Sequence, residues 1–159
     1  MTSSMLKPKY HFHHSSVLEA PPEVVWRELR DMISLFKGAF QGAVHDVYWV
    51  DGGSAERIPS RYEFVFQPGG ERFSEEVIGR SELEHWISYR TVGSVMGLVD
   101  YVGRMSLRPI TDEPNRCLFE ATKDFRLAEG MDANAFIPSY AKMIEQQMVT
   151  LKAHFAGKR

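Results

Sequence analysis

The stretch Ile137 to Phe155, IPSYAKMIEQQMVTLKAHF, places Ile137, Tyr140, Ile144, Met148, Leu151 and Phe155 at steps of three and four, with Lys142, Glu145, Gln146 and Lys152 off that stripe. An α-helix turns every 3.6 residues, so these steps gather the large side chains on one side and predict a long amphipathic helix with one buried face. Pro138 stands near its start. Because proline has no N–H and disrupts an established helix, the helix is expected to begin close to Ile137 or to bend there, and Gly157-Lys158-Arg159 ends it.

That buried face needs a partner, and the residues before it change to period two. Cys117, Phe119, Ala121, Phe125 and Leu127 alternate with Leu118, Glu120, Thr122, Asp124 and Arg126. Between Leu98 and Arg108, Val99, Tyr101, Gly103, Met105 and Leu107 fall on one side, and Asp100, Arg104, Ser106 and Arg108 on the other. Further back, Leu83 to Val92 puts Ile87 and Tyr89 opposite Trp86, Ser88 and Arg90. Phe73, Glu75, Val77 and Gly79 form the return strand of a hairpin whose first strand carries Tyr62, Phe64 and Phe66. Gln67-Pro68-Gly69-Gly70-Glu71 turns that hairpin, with proline fixing φ and glycine supplying positive φ. Val44 to Val50 is another strand, closed by Asp51-Gly52-Gly53, and Tyr10 to Glu19 is the first.

Between these two strands the period is helical. Ala20-Pro21-Pro22-Glu23 opens a helix, since a proline loses nothing at a first helical position. Val25, Trp26, Leu29, Met32 and Ile33 follow at helical spacing, and the breakers Gly38 and Gly42 predict a second short helix ending near residue 41. The class is therefore α+β: about seven strands forming a curved antiparallel meander, two short helices between the first and second strands, and one long C-terminal helix that the sheet wraps around.

A sheet that curls around one helix leaves a wedge where the two diverge. The side chains expected to face it are Tyr62, Phe64, Phe66, Tyr89, Tyr101, Met105 and Phe119 from the strands. The helix would add Tyr140, Met143, Ile144 and Met148, with Gln147 contributing an amide. Apolar and aromatic walls with a few polar tips are what small-molecule pockets use, although the same stripe also serves as plain core.

Composition narrows the partners. With 159 residues, 43% hydrophobic, 25% charged and a net charge of -2, the chain is an ordinary globular sequence. Its scattered Lys and Arg give no basic face for nucleic acid. No apolar stretch is long enough for a membrane span. Cys117 stands alone and is expected to act as a small buried hydrophobe. Met1 to Lys9 lacks the apolar centre of a leader peptide, so a cytoplasmic location is expected. Oligomeric state is left open.

Six histidines raise the question of a metal. His11 and His13 share one side of a strand and could share an ion if His45 or Asp124 came near, but a solvated edge explains them as well, and neither metal nor cofactor is expected. No Gly-x-Ser-x-Gly, phosphate-binding loop or dinucleotide fingerprint occurs.

Val17-Leu18-Glu19-Ala20-Pro21-Pro22-Glu23-Val24-Val25-Trp26, followed by Leu29-Arg30-Asp31, resembles the opening of the START-related SRPBCC superfamily, in particular its polyketide cyclase/dehydrase branch. Tyr89, Tyr101-Val102-Gly103, Phe125 and Leu151-Lys152-Ala153-His154-Phe155 agree in order, so the resemblance spans nearly the whole chain. It implies a helix-grip fold and a single START-like ligand-binding domain over residues 1–159. Two departures bear on the pocket: Ala121 stands where many relatives carry Trp, and the proline often found before the sixth strand is missing between Gly93 and Leu98.

Two functions follow as expectations. The first is binding or transport of a small hydrophobic molecule, such as a lipid, in the cavity. The second is acid/base catalysis of the polyketide cyclase or dehydratase type, with Tyr62, Tyr89, Tyr101 or Arg61 polarising a carbonyl; alternation places Arg61 on the outer face. A third, an assembly role, has only Trp49 and Trp86 as hints of an exposed apolar patch.

Overall fold

The computed structural model describes residues 7–159; residues 1–6, part of the segment read above for a leader peptide, lie outside them. Ten elements follow in order: β1 (Tyr10–Leu18), α1 (Pro22–Leu29), α2 (Met32–Lys37), β2 (Asp46–Val50), β3 (Ser60–Val65), β4 (Phe73–Ser81), β5 (Trp86–Val92), β6 (Leu98–Pro109), β7 (Cys117–Leu127) and α3 (Ala133–Phe155). The strands form one antiparallel sheet in the order β1-β7-β6-β5-β4-β3-β2. The helix-grip architecture expected from the sequence is present. Because β1 pairs with β7, helices α1 and α2 carry the chain from one edge of the sheet to the other.

Local chemistry sets the helix ends. Pro21 and Pro22 open α1. Asp31 caps α2, its carboxylate accepting from the Ile33 and Ser34 backbone N–H groups at 3.0 and 3.4 Å. Asp132 caps α3 in the same way, accepting from Asn134 N–H at 3.0 Å. This cap starts α3 at Ala133, a full turn before Ile137, and leaves Pro138 inside the helix. The missing Pro138 N–H then falls on a first-turn carbonyl, where the loss is least disruptive.

Several strands depart from the expected alternation or bounds, and in β4 the register shifts between Val77 and Gly79. In β6 the register shifts between Val99 and Val102, with Asp100 at φ 52°, so Leu98 is buried and Val99 turns away, contrary to the sequence expectation for that pair. β5 starts at Trp86 rather than Leu83, because residues 82–85 make a turn and Leu83 stands in solvent. β2 likewise starts at Asp46, two residues after Val44.

One end of the concave face is filled. Leu18, Val25, Leu29, Leu35, Leu107, Leu151 and Phe155 are buried there, together with Cys117, whose thiol burial pushes up to about 11. The C-terminus of α3 is tied down at that end. Gly157 N–H donates to the Glu19 carbonyl at 2.9 Å, and His154 Nε2 meets Glu28 Oε2 at 2.8 Å, while Glu28 Oε1 accepts from Ala39 N–H at 2.9 Å.

The opening motif of the chain is structural. Trp26 Nε1 donates to Glu82 Oε2 at 2.8 Å, and Arg30 bridges Glu82 and Glu56, stapling α1 to the β4–β5 turn. Trp86 lies under the Arg104 guanidinium at 4.0 Å, and Trp49 packs edge-on against Tyr62, so neither forms an apolar patch by itself.

Candidate ligand site

Three rows of paired residues cross the concave face. Val77, Tyr89, Gly103, Lys123 and Phe12 form one, running from β4 to β1. Ile87, Met105, Ala121 and His14 form the next, and Tyr62, Glu75 and Thr91 a third at the far side. Gly103 is needed as glycine: a Cβ there would lie 2.5 Å from Tyr89 Cζ, so the tyrosine ring occupies the space of the missing side chain.

Above these rows, sheet and α3 part to leave a cavity of about 750 Å³. Phe36, Phe40, Phe64, Leu98, Phe119 and Met148 make its walls greasy; Phe66, Met96 and Met143, exposed by 42%, 60% and 47%, stand at its rim. Ala121 contributes only a methyl, so the floor beside His14 and Met105 stays open.

The polar groups are set into that apolar surface. Glu75 and Lys123 each remain only 8% exposed, and both line the cavity. Tyr62 donates a short hydrogen bond to Glu75 Oε2. Burial raises the Glu75 pKa to about 7 against the opposing pull of that bond and of the Lys123 charge. Burial also lowers Lys123 to about 8, with Glu75 pulling it back up. His14 is held down to about 4, by burial first and then by the charges of Lys123 and His13. Tyr89 and Tyr101 hydroxyls lie 3.4 Å apart, and burial lifts both pKa values, as it lifts Tyr140 to about 12. Near neutral pH the cavity thus holds neutral phenols and a neutral imidazole, together with a carboxyl and an amine that can each gain or lose a proton.

Residues 9–156 match the family model described as polyketide cyclase / dehydrase and lipid transport. The chain belongs to this family. Solved structures agree on the fold of its SRPBCC type. A protein from Nitrosospira multiformis is 24% identical over 95% of this chain and 98% of its own, with a TM-score of 0.73. An uncharacterized protein from Bacillus thuringiensis is 17% identical over 92% and 98%, with a TM-score of 0.75. Truncated norcoclaurine synthase from Thalictrum flavum is 11% identical over 99% of both chains, with a TM-score of 0.67. No curated protein sequence matches the chain. Likeness at these identities shows the fold and leaves activity to the site.

In this polyketide cyclase / dehydrase and lipid transport family member, ten of the twelve side chains expected at the cavity line it: Phe64, Phe66, Tyr89, Tyr101, Met105, Phe119, Tyr140, Met143, Gln147 and Met148. Two do not. Tyr62 is fully buried and spends its hydroxyl on Glu75, which faces the cavity in its place. Ile144 sits mid-stripe on α3 and is buried in the core, while Met143 and Gln147 at the edge of the stripe reach the cavity.

Arg61 is on the outer face as alternation requires, paired with Glu76 at 3.2 Å. His11 and His13 are there too, each on its own carboxylate, Asp124 at 2.8 Å and Glu120 at 3.2 Å. Among the described residues no three metal-ligating side chains come together. Nor is any helix long and apolar enough to cross a membrane.

Sequence reasoning passed over Glu75, Lys123, His14 and Thr91 as cavity residues. The signal was parity: Lys123 falls between Ala121 and Phe125 on the inward side of β7, and Glu75 between Phe73 and Val77 on that of β4. A charge at such a position is costly without a partner or a purpose.

Proposed function

We propose that the protein binds a small, mostly apolar molecule carrying at least one polar oxygen, held between the sheet and α3. One observation carries this reading. The wall of an apolar cavity of about 750 Å³ holds the largely buried Lys123 side chain, whose amine has no salt-bridge partner within 4 Å among the described residues and lies 6.0 Å from the Tyr140 ring centre, and the buried His14 Nδ1 and Thr91 Oγ1 atoms have no hydrogen-bond partner among the described residues. Buried polar groups are normally satisfied, so two unsatisfied atoms beside an amine with no carboxylate partner favour a ligand that satisfies them. The lone buried Cys117 fits a reducing compartment such as the cytoplasm.

N-phenyl-1-naphthylamine, an apolar fluorescent probe, is expected to bind in one copy and to be displaced by medium-chain alcohols. Ala121→Trp, which fills the floor, is expected to weaken the probe at least tenfold while leaving the far-ultraviolet circular dichroism unchanged. A protein that excludes the probe and every alcohol lacks a usable cavity.

A second reading, acid/base turnover of a cyclase or dehydratase type, is favoured by the Glu75 carboxyl at a pKa of about 7, near the optimum for a proton carrier at neutral pH. Tyr89→Phe and Tyr101→Phe separate the two. A binder loses about 1 kcal/mol of affinity per hydroxyl, whereas an enzyme that uses the hydroxyls on a reacting carbonyl loses turnover of a reactive polyketone.

A further inference from the structure

We propose that Lys123 captures carbonyl groups: the cavity takes an apolar aldehyde or ketone and holds it as an imine on Lys123 Nζ, with the Glu75 carboxyl donating the proton that releases water. This rests on the reading that the cavity admits a small apolar molecule.

Geometry is the first support. Lysine is almost never buried unless paired, yet Lys123 is 92% buried and lines the cavity with no carboxylate within 4 Å among the described residues. A structural ion pair therefore does not explain it. Its nearest ladder partners, Gly103 on β6 and Phe12 on β1, offer no side-chain acceptor. The titratable groups facing the same space are His14 from β1, Glu75 from β4, Tyr89 from β5, Tyr101 from β6 and Tyr140 from α3. Of these, Glu75 alone can be an anion near pH 7, because burial keeps the phenols protonated and the imidazole neutral.

The chemistry balances without a further reactant. Neutral Lys123 attacks the carbonyl carbon, a C–N bond forms, and the π electrons move to oxygen, which takes a proton from nitrogen to give a carbinolamine. The protonated Glu75 carboxyl then gives its proton to that hydroxyl, the C–O bond breaks, and water leaves. An iminium on Lys123 and a carboxylate on Glu75 remain. That pair carries the same net charge as ammonium and carboxylate, so no uncompensated charge enters the apolar site. Desolvation of a lysine raises its share of free amine and thus its nucleophilicity, and the lowered pKa of Lys123 agrees.

Octanal and sodium cyanoborohydride at pH 7, followed by peptide mapping, test the proposal on the full chain. At that pH an amine of pKa about 8 has roughly 10²-fold more free base than an ordinary lysine, so octyl transfer to Lys123 is expected at least tenfold faster than to Lys37, Lys142 or Lys152. A free α-amino terminus also reacts at this pH and is told apart by its peptide. Excess octanol, which competes for the cavity, is expected to slow labelling of Lys123 and not of the surface lysines. Lys123→Arg, which has no nucleophilic amine, is expected to lose the internal label while Lys37, Lys142 and Lys152 are labelled as before. Lys123 labelled no faster than surface lysines, or labelled equally with octanol present, overturns the proposal. If the probe binds while Lys123 stays unlabelled, the carbonyl chemistry falls and the binding function stands; if the probe does not bind and Lys123 is unlabelled, both fall.

Discussion

The two ends of the concave face share the same strands and the same helix, yet one is solid and the other hollow. At the α1 end, Leu18, Leu29, Leu151 and Phe155 have essentially no exposure, and α3 is fastened to Glu19 and Glu28. Before Leu151, the helix presents Tyr140, Met143, Gln147 and Met148 to a cavity that also receives Glu75 and Lys123. Apolar burial at the filled end lets the helix dock without packing the other end. A hollow wall with buried ionisable groups is tolerable because the cost is met elsewhere in the molecule.

The sharpest way to break this contrast is to truncate one α3 side chain at the filled end of the concave face and one at the hollow end. Leu151→Ala opens a void in close-packed surroundings and is expected to cost about 2–5 kcal/mol by urea unfolding. Met148→Ala enlarges a space that already exists and is expected to cost less than half as much. Equal losses would mean that the hollow end is packed as tightly as the other.

The buried pair gives the contrast a pH signature. The folded Glu75 pKa of about 7 lies above its unfolded value near 4.3, so its contribution to stability is full below the unfolded value and lost as pH rises through 7. The folded Lys123 pKa of about 8 lies below its unfolded value near 10.4, so its burial cost is full below 8 and is relieved as pH rises toward the unfolded value. Both costs coincide between pH 7 and 8. Unfolding midpoints are expected to pass through a minimum there, with a depth on the order of 2 kcal/mol relative to pH 5. The double variant Glu75→Gln, Lys123→Met is expected to flatten it; an unchanged minimum in that variant would assign the effect to other groups.

Tyr62→Phe sharpens the same point on a smaller scale. Its hydroxyl is the only side-chain donor seen on Glu75 among the described residues. Losing it is expected to cost about 1–3 kcal/mol at pH 8, where the carboxylate is charged, and less at pH 5, where it is neutral. Equal losses at both values would mean that the hydroxyl supports packing alone.

The sheet and α3 were legible because long runs of alternation, and then of 3.6 spacing, survive an error of one residue. The bulge at Asp100 was not, because one inserted residue leaves each side of β6 alternating normally and only the phase between them changes. The cavity walls were mostly legible for the same reason as the strands. Its chemistry was not: Lys123 and Glu75 break the apolar pattern at inward positions, and only three-dimensional closure of the sheet shows that they meet one cavity. His14 was assigned the opposite side from His11 and His13, which is where it lies, but its place beside Ala121 depends on the pairing of the first strand with the last.

The outer face supplies the smallest effect. His11 meets Asp124 at 2.8 Å across the β1–β7 edge, with both side chains substantially exposed. Water screens such a pair, and ordering two side chains offsets much of the attraction, so His11→Ala is expected to change stability by less than about 0.5 kcal/mol. The edge has stronger bonds than this one. Nine residues of β1 pair with β7, and Phe12 on the inner side stacks on Phe125 at 5.7 Å. A loss above 1 kcal/mol in urea unfolding would place the holding force of this edge on the charged outer face. Near-zero loss, beside the costs expected at Leu151 and Tyr62, would place it inside the grip, where burial multiplies the worth of each contact.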